Sequence, residues 1–358
     1  MQKKDNIFYK IFGGKYQFLW ITLLAIILAF VVGAVAIIAN GQNPLLAYIA
    51  LFKGSFGNIN KVATVLTRTT ILIFTGLAVA IAFRSGIFII GAEGQLYLGA
   101  FASALVGIYL TNIPKVVHIP LAILAAMLVG GFWSFIPAIL KVRYKMDEVV
   151  VSLMMNAPAI LIVGYLVNEP FRDPMGQTGM TVLIQESARF SRLLEFSRFN
   201  TTFFIALSVA FLMIYLIQRS TVGYEWKITG LNPIFSRFGG VYSKKRMLQA
   251  AVISGMLAGI AGSALVLGEF YRCLDIISVG YGWDGLLVAM IVNNNPIGVI
   301  LVAFLFGVLK TGALAMEAAT NIPSELSLVI QSIVILFVAA ERGVIALIQR
   351  KGEVPPIV

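Results

Sequence analysis

Long apolar runs separated by short polar clusters dominate the chain, and run length predicts its elements. A helix needs about 20 apolar residues to cross a bilayer. The runs are 18–39, 62–83, a glycine-broken stretch continuing to 110, 118–140, 148–167, 199–218, 247–271, a short one at 282–292, 296–316 and 324–340. They predict an all-α polytopic membrane protein of about ten transmembrane helices in one domain over 1–358. The longest polar connection, 168–198, carries Pro170, Pro174 and Gly176. Its apolar residues Met180 to Ile184, Leu193 and Leu194 suggest amphipathic helices lying on the membrane surface. A second polar stretch, 219–246, is strongly basic.

Two apolar runs depart from the pattern in the same way. The first, FRSGIFIIGAEGQLYLGA (83–100), has glycines at 86, 91, 94 and 99 and places Glu93 and Gln95 inside apolar sequence. A carboxylate in hydrocarbon is costly, and a helix broken there exposes backbone polar groups. Both are tolerated where a segment lines a polar cavity, and glycine-interrupted segments are the usual pointer to a translocation path. The other reading is close glycine packing, with Glu93 paired to a neighbouring arginine. The second stretch, GYGWDGLLVAMIVNNNPIGVILVAFLFG (280–307), again mixes glycine, an embedded acid, Asp284, and a polar turn containing Asn293. One such stretch in each half suggests an internal inverted repeat, with the breaks at mid-membrane.

Composition fits this pattern. Of 358 residues 59% are hydrophobic and 12% charged, against about 25% charged in soluble domains. The net charge of +11 follows from lysine and arginine in cytoplasmic loops and calls for no nucleic acid. Seventeen basic residues fall in one set of loops and eight in the other, with Arg68 and Lys310 inside spans. That bias puts both termini (1–17 and 341–358) and the 219–246 loop in the cytoplasm, and 168–198 outside. The N-terminal run is read as a retained span, because it is too long for a signal peptide and lacks an A-x-A-like cleavage site. One cysteine, Cys273, excludes an internal disulfide, and the single histidine, His118, offers no metal cluster; no cofactor is expected. There is no G-x-x-x-x-G-K-[ST], H-E-x-x-H or G-x-S-x-G motif, so neither nucleotide binding of that kind nor a catalytic set is supplied. Transport energy would come from an ion gradient or from a separate ATPase subunit.

The embedded polar residues are the candidate path. Arg68 lies about six residues, roughly 9 Å, from the outer end of its span, placed either to reach Glu93 or to snorkel outward. Asn156, mid-span, can bond a sugar hydroxyl, a base or a neighbouring helix. Asp284 and Lys310 sit at similar depth and can neutralise each other. The candidates are therefore Glu93, Gln95, Asn156, Arg68, Asp284 and Asn293. In the basic loop, Asn232 and Pro233 form a helix-start signal and Gly239-Gly240 a stop, which predicts a short helix over 233–238. Phe235 and Phe238 fall on one face beside Arg237, the shape of a docking element; the alternative is a basic loop held near anionic lipid.

FRSGIFIIGAEGQLYLGA, MDEVVVSLMMN (146–156), GLNPIFSRFGGV and GYGWDGLLVAMIVNNNPIGVILVAFLFG together resemble a permease subunit of bacterial ABC importers. The group is the branched-chain amino-acid, ribose and nucleoside permease superfamily, and the nucleoside branch is the nearest. The likeness covers nearly the whole chain. It implies an inverted repeat around a central path in a bacterial plasma membrane. It also implies a cytoplasmic ATPase, a second homologous permease forming a heterodimer, and an extracytoplasmic substrate-binding lipoprotein. The 233–238 helix would couple to the ATPase through Asn232, Pro233, Phe235, Arg237 and Phe238, and 219–246 would be the coupling loop. Ile234, Phe235 and Ser236 stand where that family usually has small residues. The solute implied is a nucleoside, with a ribose-like sugar or branched-chain amino acid as alternatives. A gradient-driven secondary transporter or channel, with Glu93 and Arg68 in its coupling site, is the reading from another class.

Overall fold

The computed structural model describes residues 30–35, 37–39, 41–320 and 329. Most of the run at 18–39, nearly all of that at 324–340, and both termini lie outside the described residues. In chain order the helices are α1 (Pro44–Phe56), α2 (Ile59–Arg84), α3 (Ala92–Tyr109), α4 (Lys115–Tyr144), α5 (Glu148–Met154) and α6 (Asn156–Asn168). There follow α7 (Thr202–Arg219), α8 (Thr221–Leu231), α9 (Pro233–Phe238), α10 (Ser243–Ala264) continuing into a π-helical turn (Leu265–Phe270), α11 (Tyr281–Ile291) and α12 (Pro296–Thr320). Six stretches are long and apolar enough to span a membrane: α2, α4, joined α5–α6, α7, α10 with its π turn, and α12. The chain is a multi-pass membrane protein.

Burial separates inner from outer helices. In α2 and in α10 with its π turn, 89% and 83% of the most apolar window is buried within the chain; in α4, α5–α6 and α7 the shares are 28%, 22% and 28%. The first two form the core, and the others turn residues such as Phe132, Leu161 and Phe211 outward. Lipid tails are as apolar as leucine, so helices hold together through close packing of small residues. On α10 a Cβ at Gly259 would lie 2.2 Å from the Ala126 carbonyl oxygen of α4, and one at Gly262 would lie 2.1 Å from that of Leu96 in α3. Glycine is therefore the residue that lets α10 sit against both.

The chain divides into two compact units. Unit 2, Asn58–Gly307, holds α2 to α11 and the first half of α12. In it α10 packs on α2, α3 and α4, while α2 also packs on α11. In the other unit, α1 packs on the end of α12: Ser55 Oγ donates to the Val308 carbonyl at 2.8 Å, and Gly54 meets Ala315.

Two expectations are corrected, and one helix is present that no apolar run predicted. The 168–198 connection contains no amphipathic helix; its regular element is one 3-10 turn, Glu186–Ala188. It is held instead by backbone bonds, from Thr181 N–H to Cys273 O, Ile184 N–H to Tyr271 O and Phe190 N–H to Leu267 O, each 2.9 Å. Ile184, Ala188 and Phe190 are consequently buried against protein, not laid on lipid. The basic 219–246 stretch is not mostly loop: Ser220 caps α8 by accepting the Gly223 N–H, and Trp226 on that helix is fully buried. The connection between the first two runs contains α1, whose start repeats the Asn-Pro signal, with Asn43 Oδ1 accepting the Leu45 N–H at 2.9 Å.

Cys273 is fully buried in the connection after the π turn, and burial pushes its thiol up from 9.0 to about 12. The thiolate is the reactive species. Native protein at about pH 8 is expected to take up maleimide at no more than on the order of a tenth of the denatured protein's level. Equal labelling before and after denaturation would show the thiol exposed.

Candidate functional site

The segment between α2 and α3 leaves the helix at Gly86, where φ is +80°, a value suited to glycine. Its apolar side is packed by Ile87 and Ile89 against Ala82, Ala138 and Ala251. Its polar backbone, which packing removes from solvent, is met by two side chains four residues apart on α5–α6. Ser152 Oγ accepts the Ile90 N–H at 2.9 Å. Asn156 Nδ2 donates to the Ile90 carbonyl and its Oδ1 accepts the Gly94 N–H, both at 2.9 Å. Both functional atoms of Asn156 thus hold the unwound segment and the first turn of α3 in place.

α3 then begins, with Glu93 its second residue and buried. Its Oε2 accepts the Gly282 N–H at 2.6 Å, in the first turn of α11. The Ser278 hydroxyl also hydrogen-bonds the carboxylate, and the Tyr97 hydroxyl donates to the Ser278 carbonyl at 3.2 Å. The backbones touch here: a Cβ on Gly282 would lie 2.4 Å from the Glu93 nitrogen. Two glycine-broken stretches, 189 positions apart, therefore meet at the starts of their helices, with Glu93 answering the exposed N–H groups of α11. A cavity of about 10 Å³, lined by Glu93, Asn156, Gly282 and Trp283 among others, adjoins the junction, roughly the room one water needs.

Other candidates distribute around this point. Asp284 is buried in the first turn of α11, close enough to Glu93 to interact electrostatically. Gln95 is buried, with Nε2 near Gly91 and its Oε1 without a partner among the described residues. Arg68 is half-buried on α2 and interacts with Tyr281; among the described residues no salt bridge joins it to Glu93. Asn293 stands at the opposite end of α11 with φ 51°, in the turn that ends it, and is not brought to Glu93. Ser152, Ser278 and the Gly282 N–H were not among the sequence candidates. The i, i+4 spacing of Ser152 and Asn156 was a usable signal; nothing local marked Ser278.

At the basic end of the same unit, Asn232 Oδ1 accepts the N–H groups of Ile234 and Phe235 at 3.0 and 2.9 Å and starts α9. Ser236 is buried and hydrogen-bonded to Ser243, which fixes the helix, while Ile234, Phe235 and Phe238 are 71%, 65% and 88% exposed. α9 follows α8, whose Gly230 sits on the turn after α2: a Cβ there would lie 2.3 Å from the Arg84 carbonyl oxygen, and one on Gly86 would lie 2.9 Å from the Gly230 Cα. The exposed aromatic helix and the unwound segment leading to Glu93 are thus joined through a backbone-to-backbone contact.

Residues 61–339 match the family described as branched-chain amino acid transport system / permease component. Over 343 residues, 93% of this chain and 97% of the relative, the sequence is 38% identical to the guanosine ABC transporter permease protein NupP of Bacillus subtilis. It is 31% identical to the nucleoside ABC transporter permease protein NupB of Lactococcus lactis, over 92% of this chain and 93% of the relative. A further guanosine ABC transporter permease protein of B. subtilis, NupQ, is 25% identical over 66% of this chain and 76% of its own length.

Proposed function

We propose that this chain, which belongs to the branched-chain amino acid transport system / permease component family, lines the path of an ATP-driven importer for a nucleoside. The observation that carries the solute class is the 38% identity, over 93% of the chain, to a guanosine permease. The path reading is supported by the junction of α3 and α11, where half-helix starts converge on a buried carboxylate. Ten spans with cytoplasmic ends remain the topology we propose, on the basic-residue bias.

An inverted repeat is part of the same proposal. α2, its break and α3 correspond to α10, its break and α11. The packing supports this, because each long helix packs on the other copy's short one: α2 on α11 and α10 on α3. Glu93 and Asp284 would be the paired acids of the two copies. In this reading Ser152 and Asn156 position the segment, and Glu93, Gln95, Asp284 and Arg68 are the groups nearest the solute.

The chain supplies no phosphate loop, so a separate cytoplasmic ATPase docks on α9 and passes movement through Gly230 and the Arg84–Gly86 turn to Glu93. A second homologous permease completes the path; two distinct B. subtilis relatives that share the guanosine-transporter name support a heterodimer. A lipoprotein delivers the solute outside. Proteoliposomes holding this assembly are expected to take up labelled guanosine with internal or external ATP supplied to the ATPase side, and to continue after ionophores collapse all ion gradients. Competition by unlabelled adenosine but not by leucine or ribose fixes the class. Uptake abolished by ionophore with ATP intact would give the gradient-driven reading instead.

A further inference from the structure

At the basic end of α10 two recesses meet at one residue. A basic recess of about 550 Å³ is lined by Arg237, Lys244 and Lys245 with the 240–243 turn. Beside it runs an apolar groove of about 430 Å³, lined by Leu216 of α7, Val222 and Trp226 of α8, and Leu248 and Val252 of α10. Lys245 lines both.

The electrostatics of this place are incomplete. Lys244 and Lys245 stand at the start of a 22-residue helix, whose positive end disfavours cations and favours an anion. Arg246 beside them is engaged by Glu225. Among the described residues no salt bridge includes Lys244, Lys245 or Arg237. A second, independent observation comes from the groove. Its apolar walls open directly onto Lys245, so unpaired positive charge and uncovered apolar surface adjoin at one residue.

We propose that the two recesses together hold one anionic phospholipid. The phosphate sits at Lys244 and Lys245, and one acyl chain follows the groove. A soluble anion would meet the lysines and leave the groove empty. The groove lies between two membrane-spanning helices at their basic ends, the depth at which anionic headgroups meet such clusters. The site goes beyond the transport reading, because occupancy is measured without solute, ATP or any change in uptake.

The test is native mass spectrometry of the purified full-length chain, in the assembly it forms in detergent, titrated with phosphatidylglycerol, phosphatidylcholine or inorganic phosphate. One phosphatidylglycerol per chain is expected, at least tenfold tighter than phosphatidylcholine. Lys244→Ala with Lys245→Ala should weaken it about 30-fold. Val222→Trp, which fills the groove and leaves every charge in place, should weaken it comparably. Inorganic phosphate should not displace the lipid. Equal binding of the two lipids, retention in both the lysine and the Val222 variants, or displacement by phosphate would each overturn the proposal. An unchanged size-exclusion profile confirms that a variant is folded, and the Val222 variant decides the matter should the lysine pair fail that check.

Discussion

Gly282→Ala is expected to abolish uptake, by about 100-fold or more, in complexes that still assemble. The added Cβ would lie 2.4 Å from the Glu93 nitrogen and 2.6 Å from its Cα, with no flexible side chain to give way. Overpacking of this kind costs about 1–3 kcal/mol or more, and backbone against backbone falls at the upper end. The strain falls on the junction of α3 and α11, so the helix starts must separate. Glu93→Gln is the milder companion. It keeps an acceptor for the Gly282 N–H and removes the charge that answers the positive end of α11. In a buried setting that interaction is worth up to about 2 kcal/mol, which corresponds to an expected loss in uptake of roughly 10- to 30-fold. The measurement is initial uptake into proteoliposomes, normalised to assembled complex by size exclusion. If Glu93→Gln mainly prevents insertion or pairing, while the complexes that do form transport normally, the carboxylate is a structural tie and not part of the path.

Phe235→Ala combined with Phe238→Ala should uncouple the transporter while leaving it folded. Both rings are mostly exposed, so their removal leaves no cavity within this chain, and α9 keeps its Asn232 cap and its Ser236–Ser243 bond. Truncating one well-packed interface aromatic costs about 2 kcal/mol or more, roughly 30-fold in affinity. The double variant is expected to lose ATPase co-purification, stimulated ATP hydrolysis and uptake together. It should still insert and pair with the second permease, because neither ring lies in a spanning helix. Unchanged co-purification with unchanged uptake would mean that α9 is a basic surface connection and not the docking element.

Much of the site was legible because its chemistry is local. Glu93 and Asp284 stand out in apolar sequence, and the glycines around them announce broken helices, since an acid and a free backbone in hydrocarbon both need a reason. The α9 boundaries were readable for a similar reason: an Asn side chain accepts N–H groups two and three residues on, and proline suits the next position. The same signal starts α1 at Asn43-Pro44 and α12 at Asn295-Pro296, with Asn295 Oδ1 accepting the Ile297 N–H at 3.1 Å. Neither of these two repetitions was drawn from the sequence. α8 was missed because a helix that packs through Trp226 on neighbouring helices carries little apolar periodicity of its own.

The sequence by itself determined the class of molecule, most of the spanning helices, the two breaks and the acids within them, because length, apolarity and caps act within a few residues. Tertiary structure decided what those residues touch. Arg68 was as plausible a partner for Glu93 as any, yet the carboxylate goes to a backbone N–H 189 positions away. Asn156 was free to face a solute, and its amide instead closes the hydrogen bonds of an unwound segment. The apolar residues of 168–198 were suited to a lipid surface, and backbone pairing with the connection after α10 buries several of them instead. In each case the side chain had several partners of similar strength available. The choice was made by which unsatisfied backbone groups the packed helices brought within 3 Å, a distance set across the whole fold and written in no single stretch of it.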